Sequence, residues 1–281
     1  MLADYLRRIG LDTAPSPDAP GLGQLQRAHR LAIAFENLDI MLGRGIRLAP
    51  DAICAKLVGL RRGGYCFEQN SLFLRMLRAM GFAARPLLAR VWLGLAGEVS
   101  PRTHMLLLVT IDGEQWIADV GFGGSYIPPI PLADGARAET PDGARHRLRR
   151  ATLPGDPDGV WLLEGAGPVA ATDGRFRDSA NWQAQYGFAE IGVAAADIEQ
   201  ANHWTATRPG ARFTSLHVAS RVLPAGFASL TDRQLTVYDD GAGHARAIRD
   251  AVEFRQVLDE IFDFALSVDE VARLPLFADQ G

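Results

Sequence analysis

The dipeptide Asp112-Gly113 separates two alternating runs, Thr103 to Ile111 and Gln115 to Phe122, and restricts the fold of this chain more than any other feature. An Asp-Gly connection at positive φ matches the twist of paired strands, so it predicts a tight two-residue hairpin. Ile111 then pairs with Glu114, Leu106 stands opposite Asp119, and His104 opposite Gly121. Side chains alternate across a strand, so His104 and Asp119 emerge on one face as diagonal neighbours, roughly 7 Å apart at the backbone. A three-residue turn would slip the register and put them on opposite faces. Leu106, Leu108 and Ile117 share that face, where a histidine and a carboxylate are costly unless they pair.

A second stretch, Arg61-Arg62-Gly63-Gly64-Tyr65-Cys66-Phe67-Glu68-Gln69-Asn70, leads into a run without Pro or Gly in which Phe73, Met76, Leu77 and Met80 recur at helical spacing. Gly63 and Gly64 let the chain turn sharply before a buried helix. Cys66 is thereby expected at the helix start, where unpaired amides and the positive end of the dipole favour a thiolate. Cys54 falls among Ile53, Leu57 and Val58, as a small packing residue does.

The rest of the chain divides by periodicity. Residues 1–83 read as helical: Asp4 to Ile9, Leu22 to Ala34 after a start signal at Ser16-Pro17, Pro50 to Leu60, and the helix led by Cys66. Residues 84–195 read as short antiparallel strands of a small barrel or sandwich, including Arg85 to Leu93, Arg147 to Thr152 and Trp182 to Phe188. The basic cluster Arg145 to Arg150 reads as a solvated loop. Residues 196–281 mix strand patterns, Phe213 to Val222 and Ser229 to Tyr238, with a helix over Phe254 to Phe262. The resulting fold class is α+β and multidomain.

Composition excludes several functions. With 281 residues, 48% hydrophobic, the chain can build substantial cores. A net charge of −4 with interspersed signs gives no footprint for nucleic acid. No apolar run approaches a membrane span, and the N-terminus lacks a signal peptide's basic-then-apolar order. Two cysteines make neither a disulfide framework nor a zinc-binding Cys-x-x-Cys pair, so a cytoplasmic protein without a metal is expected.

A paired His104–Asp119 plus Cys66 at a helix start are the parts of a papain-like nucleophilic triad: sulfur nucleophile, imidazole base, and a carboxylate that orients the imidazole. From spacing alone, a packing cysteine and a structural histidine remain open alternatives. His29, His146 and His244 are read as structural.

The stretch Arg62-Gly63-Gly64-Tyr65-Cys66-Phe67-Glu68-Gln69-Asn70 resembles the Arg-Gly-Gly-x-Cys-x-Glu-x-Asn signature of the arylamine N-acetyltransferases. Ala34-Phe35-Glu36-Asn37-Leu38 resembles that family's Pro-Phe-Glu-Asn-Leu segment. Thr103-His104-Met105 resembles its His-bearing strand, and Asp119-Val120-Gly121-Phe122-Gly123-Gly124 its Asp-Val-Gly-Phe-Gly segment. The match is strongest over the first 125 residues.

The resemblance implies an N-terminal helical bundle, a central antiparallel β-barrel and a C-terminal α/β lid, with Cys66, His104 and Asp119 as catalytic residues. It implies that Phe35, Val91, Phe122 and Phe213 bind the acceptor, and that Thr103, Gly123 and Gly124 lie along acetyl-CoA, the acyl-donor substrate. The implied reaction is ping-pong acetylation of an aromatic amine, hydrazine or arylhydroxylamine. Arg208 stands where the family usually has histidine, and Ala34 replaces its proline. An amide synthase of the same family would keep the triad, as would a papain- or transglutaminase-like cysteine hydrolase. The acceptor and the oligomeric state, a homo-oligomer included, stay open.

Overall fold

In the computed structural model, which describes residues 1–94, 99–124, 126–168, 181–239 and 242–277, the chain opens with helices α1 (Leu2–Arg8) and α2 (Ala19–Ala32). The start of α2 is Asp18 rather than Ser16-Pro17: its Oδ1 accepts the Gly21 amide at 2.8 Å, and Pro20 sits in the first turn. A two-residue strand β1 (Phe35–Glu36) and a short helix α3 (Leu38–Met41) follow. Helix α4 (Pro50–Cys54) widens into a π-helical turn over Ala55–Gly59, and the chain leaves it through Arg61 at φ +52°. Helix α5 (Cys66–Ala79) is led by the cysteine as its spacing predicts.

Eight strands form a nearly closed antiparallel barrel among the described residues. They are β2 (Ala83–Val91), β3 (His104–Ile111), β4 (Glu114–Ala118) and β5 (Ile130–Pro131), then β6 (Arg137–Glu139), β7 (Arg145–Leu153), β8 (Asp156–Ala166) and β9 (Gln183–Phe188). Their order is β5-β4-β3-β2-β9-β8-β7-β6. Asp112 (φ +51°) and Gly113 (φ +84°) make the expected turn, and Ile111 pairs with Glu114. The alternation of β3 then joins two cores. Leu106 and Leu108 face the barrel interior with Leu87, Ile117, Leu163 and Phe188, whereas Met105, Leu107 and Val109 pack with Phe67, Phe73, Met76 and Leu77 of α5. The basic cluster is not a solvated loop but belongs to strand β7, which contains the strand expected over Arg147 to Thr152. Arg147 and Arg149 both reach Glu164 on β8, at 2.7 and 2.9 Å, and Arg147 lies over the Trp182 ring.

The last part carries α6 (Ala195–Thr207), α7 (Arg212–Ser215), β10 (Val218–Leu223), β11 (Gly226–Thr231), β12 (Gln234–Asp239), β13 (Ala242–Ala247), α8 (Ala251–Glu260) and α9 (Val268–Ala272). Two extended runs expected here are broken. Phe213 sits on the helical turn α7, so the strand begins only at Val218. Ser229 to Tyr238 is two strands, because Asp232 at φ +50° turns the chain between Thr231 and Gln234. Strand β1 joins β10 at the edge of this sheet, pairing Phe35 with Ser220. Among the described residues, no helix is long and apolar enough to cross a membrane.

Candidate active site

The loop before α5 is built by close approaches. A Cβ on Gly63 would lie 2.4 Å from the Ala34 carbonyl oxygen, so only glycine fits against the segment preceding Phe35. Gly64 accepts the Glu36 amide at 3.1 Å, and Glu68 Oε2 accepts the Tyr65 amide at 3.1 Å. Around this loop runs a buried ionic network. Lys56 Nζ lies 2.9 Å from Glu68 and 2.8 Å from Asp39, and Arg62 lies 2.7 Å from Glu36. Burial weakens the charged form of Lys56, but the three carboxylates around it outweigh burial and raise its pKa. Cys66 is thus fixed at the first position of α5, its Sγ 3.8 Å from the Thr103 carbonyl oxygen.

His104, the first residue of β3, is 3% exposed, and its Nε2 lies 2.7 Å from Asp119 Oδ2. Asp119 occupies Nε2, and Cys66 lines the same cavity as the imidazole and is among the groups that raise its pKa. Burial disfavours a charged imidazole. The Asp119 carboxylate and Cys66 nevertheless push His104 up to about 10. Burial would raise Asp119, yet His104, Asn70 and the Gly121 amide hold its carboxyl below the usual range. Asn70 Nδ2 donates to Asp119 Oδ1 at 3.0 Å and to the Met105 carbonyl at 2.7 Å, while Gly121 N reaches the same Oδ1 at 2.8 Å.

Strand β4 stops at Ala118, short of the expected Phe122, and the physical reason is Gly121. A Cβ there would lie 2.7 Å from Cys66 Cα and 2.6 Å from Asn70 Nδ2, so the segment crosses directly over the start of α5. The turn continues at Gly123 (φ +75°), where a Cβ would meet the Phe35 ring at 2.9 Å.

A cavity of about 1070 Å³ opens beside Cys66. Phe35, Val91, Thr103, His104, Phe122 and Phe213 line it together with Cys66. Gly123 and Gly124 do not line it. The Gly123 carbonyl accepts Ser220 Oγ at 2.7 Å, and that of Gly124 is held by Arg30. Asp119 lies behind His104. Phe35 and Phe213 pack at 5.6 Å between ring centroids, and Phe122 meets the His104 ring edge-on at 5.1 Å.

Sequence reasoning missed Tyr186 on β9. Its ring lies 4.9 Å from that of His104 and 5.0 Å from that of Phe122, while burial and the neighbouring Asp119 carboxylate keep its phenol protonated. Asn202 on α6 heads the stretch to Phe213 that resembles a family segment, but its role was not read from sequence: it accepts the Tyr65 hydroxyl through Oδ1 and so ties α6 to the cysteine loop. Neither position carries a local signal, since an aromatic in a strand and a polar residue in a helix are ordinary. His29 bears out its structural reading. Burial depresses its pKa to about 3, and it bridges the Tyr5 hydroxyl and Gln69, each at 2.9 Å.

Cys66 of α5 and His104 of β3 share the wall of one cavity, with the Asp119 carboxylate from the loop after β4 behind the imidazole, an arrangement suited to acyl transfer through sulfur. Residues 18–271 match a family model described as N-acetyltransferase. An arylamine N-acetyltransferase of Escherichia coli is 37% identical over 96% of this chain and 90% of its own length. The solved structure of the Salmonella typhimurium arylamine N-acetyltransferase superposes with a TM-score of 0.86, at 34% identity, covering 99% of this chain and 97% of that one. A Mycobacterium marinum arylamine N-acetyltransferase solved in complex with CoA gives 0.83 at 29% identity, covering 98% of each chain. The chain belongs to the arylamine N-acetyltransferase family. It is a transferase with that family's α+β architecture of helices and antiparallel barrel.

Proposed function

We propose that the protein moves an acetyl group from acetyl-CoA to an aromatic amine, hydrazine or arylhydroxylamine through an acetyl-cysteine on Cys66. The observation that carries this reading is the buried 2.7 Å contact between His104 and Asp119, with His104 and Cys66 lining one cavity. In the first half-reaction the Cys66 thiolate attacks the acetyl carbonyl carbon. The C–S bond to CoA breaks, and the leaving thiolate takes a proton from the His104 imidazolium. In the second, the acceptor nitrogen or oxygen attacks the acetyl-cysteine. The C–S bond to Cys66 breaks, and the acceptor's proton returns to His104. Asp119 keeps the ring oriented and stabilises its charged form throughout. Weakly basic aromatic amines suit the second step, since they are unprotonated near neutral pH.

Phe35, Val91, Phe122 and Phe213 give the cavity aromatic and apolar walls for such an acceptor, and Thr103 lies at the donor side. The CoA bound by the Mycobacterium marinum relative supports the choice of donor. Intact-mass measurement after incubation with acetyl-CoA alone tests the reading. A gain of one acetyl group, absent in Cys66→Ser and discharged by an aromatic amine, is expected. Unchanged mass would overturn the covalent route.

A further inference from the structure

A smaller cavity of about 180 Å³ shares no lining residue with the catalytic one. Pockets for drug-sized ligands run to roughly 300–1,000 Å³, so this one suits a small ion with a few waters. It opens among α3, the segment that follows it, the π-helical turn and the first turn of α5. Its charged walls are Asp39, Arg44, Arg47, Lys56, Arg62 and Glu68, four cations against two carboxylates.

Donors and acceptors are unevenly matched there. The Asp39 carboxylate is shared by three cations, Lys56 at 2.8 Å and Arg44 and Arg62 at 3.3 Å each. Glu68 takes up Lys56 at 2.9 Å. Two carboxylates that do not line the cavity engage the outer nitrogens of the arginines, Glu36 on Arg62 at 2.7 Å and Glu270 on Arg44 at 2.5 Å. Arg47 is exposed at the rim and makes no ion pair among the described residues. Arg62 is 7% exposed, and its Nε has no acceptor among the described residues. A buried donor of this kind is costly unless water or an ion meets it. Water would satisfy the N–H group but leave the Arg47 charge unanswered. An oxyanion answers both, and guanidinium groups grip one with paired charge-assisted hydrogen bonds.

We propose that this cavity binds a small tetrahedral oxyanion of the size of inorganic phosphate, held by Arg47 at the rim and by Arg62 and Lys56 at the wall. Asp39 and Glu68 face the same space, but each is already held by cations. Glu68 also ties the site to the reactive loop. One of its oxygens takes Lys56 at 2.9 Å, and the other accepts the Tyr65 amide at 3.1 Å. An anion in the cavity therefore steadies the turn ahead of Cys66 from a place that neither acceptor nor acyl donor has to reach.

The test uses the whole protein with inorganic phosphate as the probe and sodium chloride at matched ionic strength as the control. Phosphate is expected to raise the thermal midpoint saturably by roughly 2–4 °C beyond chloride, as a ligand of the native state does. Hydrogen exchange should slow with phosphate at the Tyr65 amide and across residues 39–68. Arg47→Gln should unfold at the wild-type temperature without phosphate and need about tenfold more phosphate for the same rise, and Arg47→Lys should recover part of that loss. No rise beyond chloride would overturn the site, and so would an equal response in Arg47→Gln. A rise abolished by saturating CoA would put the anion in the catalytic cavity and overturn it as well. None of these readouts depends on acetyl transfer, so the site and the proposed reaction stand or fall separately.

Discussion

His104 Nε2 and Asp119 Oδ2 stand 2.7 Å apart, with both residues at most 5% exposed and both placed by the two-residue turn Asp112-Gly113. Pairing in so dry a setting fixes the orientation of the ring.

The pair also sets a pH dependence. His104 is raised from 6.5 to about 10, so its stabilising pairing is fully present below about 6.5 and is lost as pH rises through about 10. Asp119 is lowered, so its share is present above its ordinary value of 3.8 and is lost as pH falls through the folded value. An NMR titration should find the His104 ring still charged at pH 8. Asp119→Asn should return it toward neutrality and reduce kcat on the order of 10³–10⁴-fold. A ring already neutral at pH 7 in the native protein would refute the assignment.

Gly121 offers a steric test. Alanine there must push against the backbone of Cys66, because the added carbon would lie 2.7 Å from its Cα. Gly121→Ala is expected to destabilise the fold by about 1–3 kcal/mol and to displace the sulfur from His104. Thermal unfolding together with acetylation of Cys66 by acetyl-CoA should register both losses. Full acetylation at wild-type stability would contradict the close crossing.

Lys56 serves two carboxylates within 2.9 Å while only 14% exposed, and Glu36 lies 3.8 Å away. Lys56→Met leaves Glu68 buried without its cation, while Arg62 still serves Glu36 and Asp39, and should cost about 3–5 kcal/mol. Urea unfolding measures it. A loss below about 1 kcal/mol would place the lysine with ordinary surface pairs.

The Tyr65 hydroxyl donates to Asn202, which couples the cysteine loop to α6. Tyr65→Phe and Asn202→Ala should each destabilise by about 1 kcal/mol, and the double variant should cost less than their sum. Strict additivity in that cycle would show that the contact carries no energy.

What the sequence disclosed was local. Asp112-Gly113 dictates its own turn and therefore the register of β3 and β4, and Gly63-Gly64 ahead of an apolar run marks the start of α5. Demands set by distant chain were hidden. The strand pattern through Phe122 is real, but Gly121 yields to contact with Cys66 and Asn70, which no neighbour in sequence announces. Phe213 continues an alternating pattern yet turns as a helix, where its ring packs on Phe35 and Tyr65. Ser229 to Tyr238 alternates well enough to hide the bend that Asp232 supplies. Tyr186 owes its place beside His104 to the closing of the barrel alone.

Strand β1 is only two residues long, yet Phe35 pairs with Ser220 on one side and bridges Gly64 on the other. The loop bearing the sulfur is thereby stitched by main-chain bonds to a sheet whose other strands begin more than 150 residues later, at Val218. A fragment ending before that sheet would still spell out Cys66, His104 and Asp119 in full. It would nonetheless lose the main-chain splint between that loop and the sheet, so the placement of Cys66 is a property of the closed circuit of chain and not of its first half.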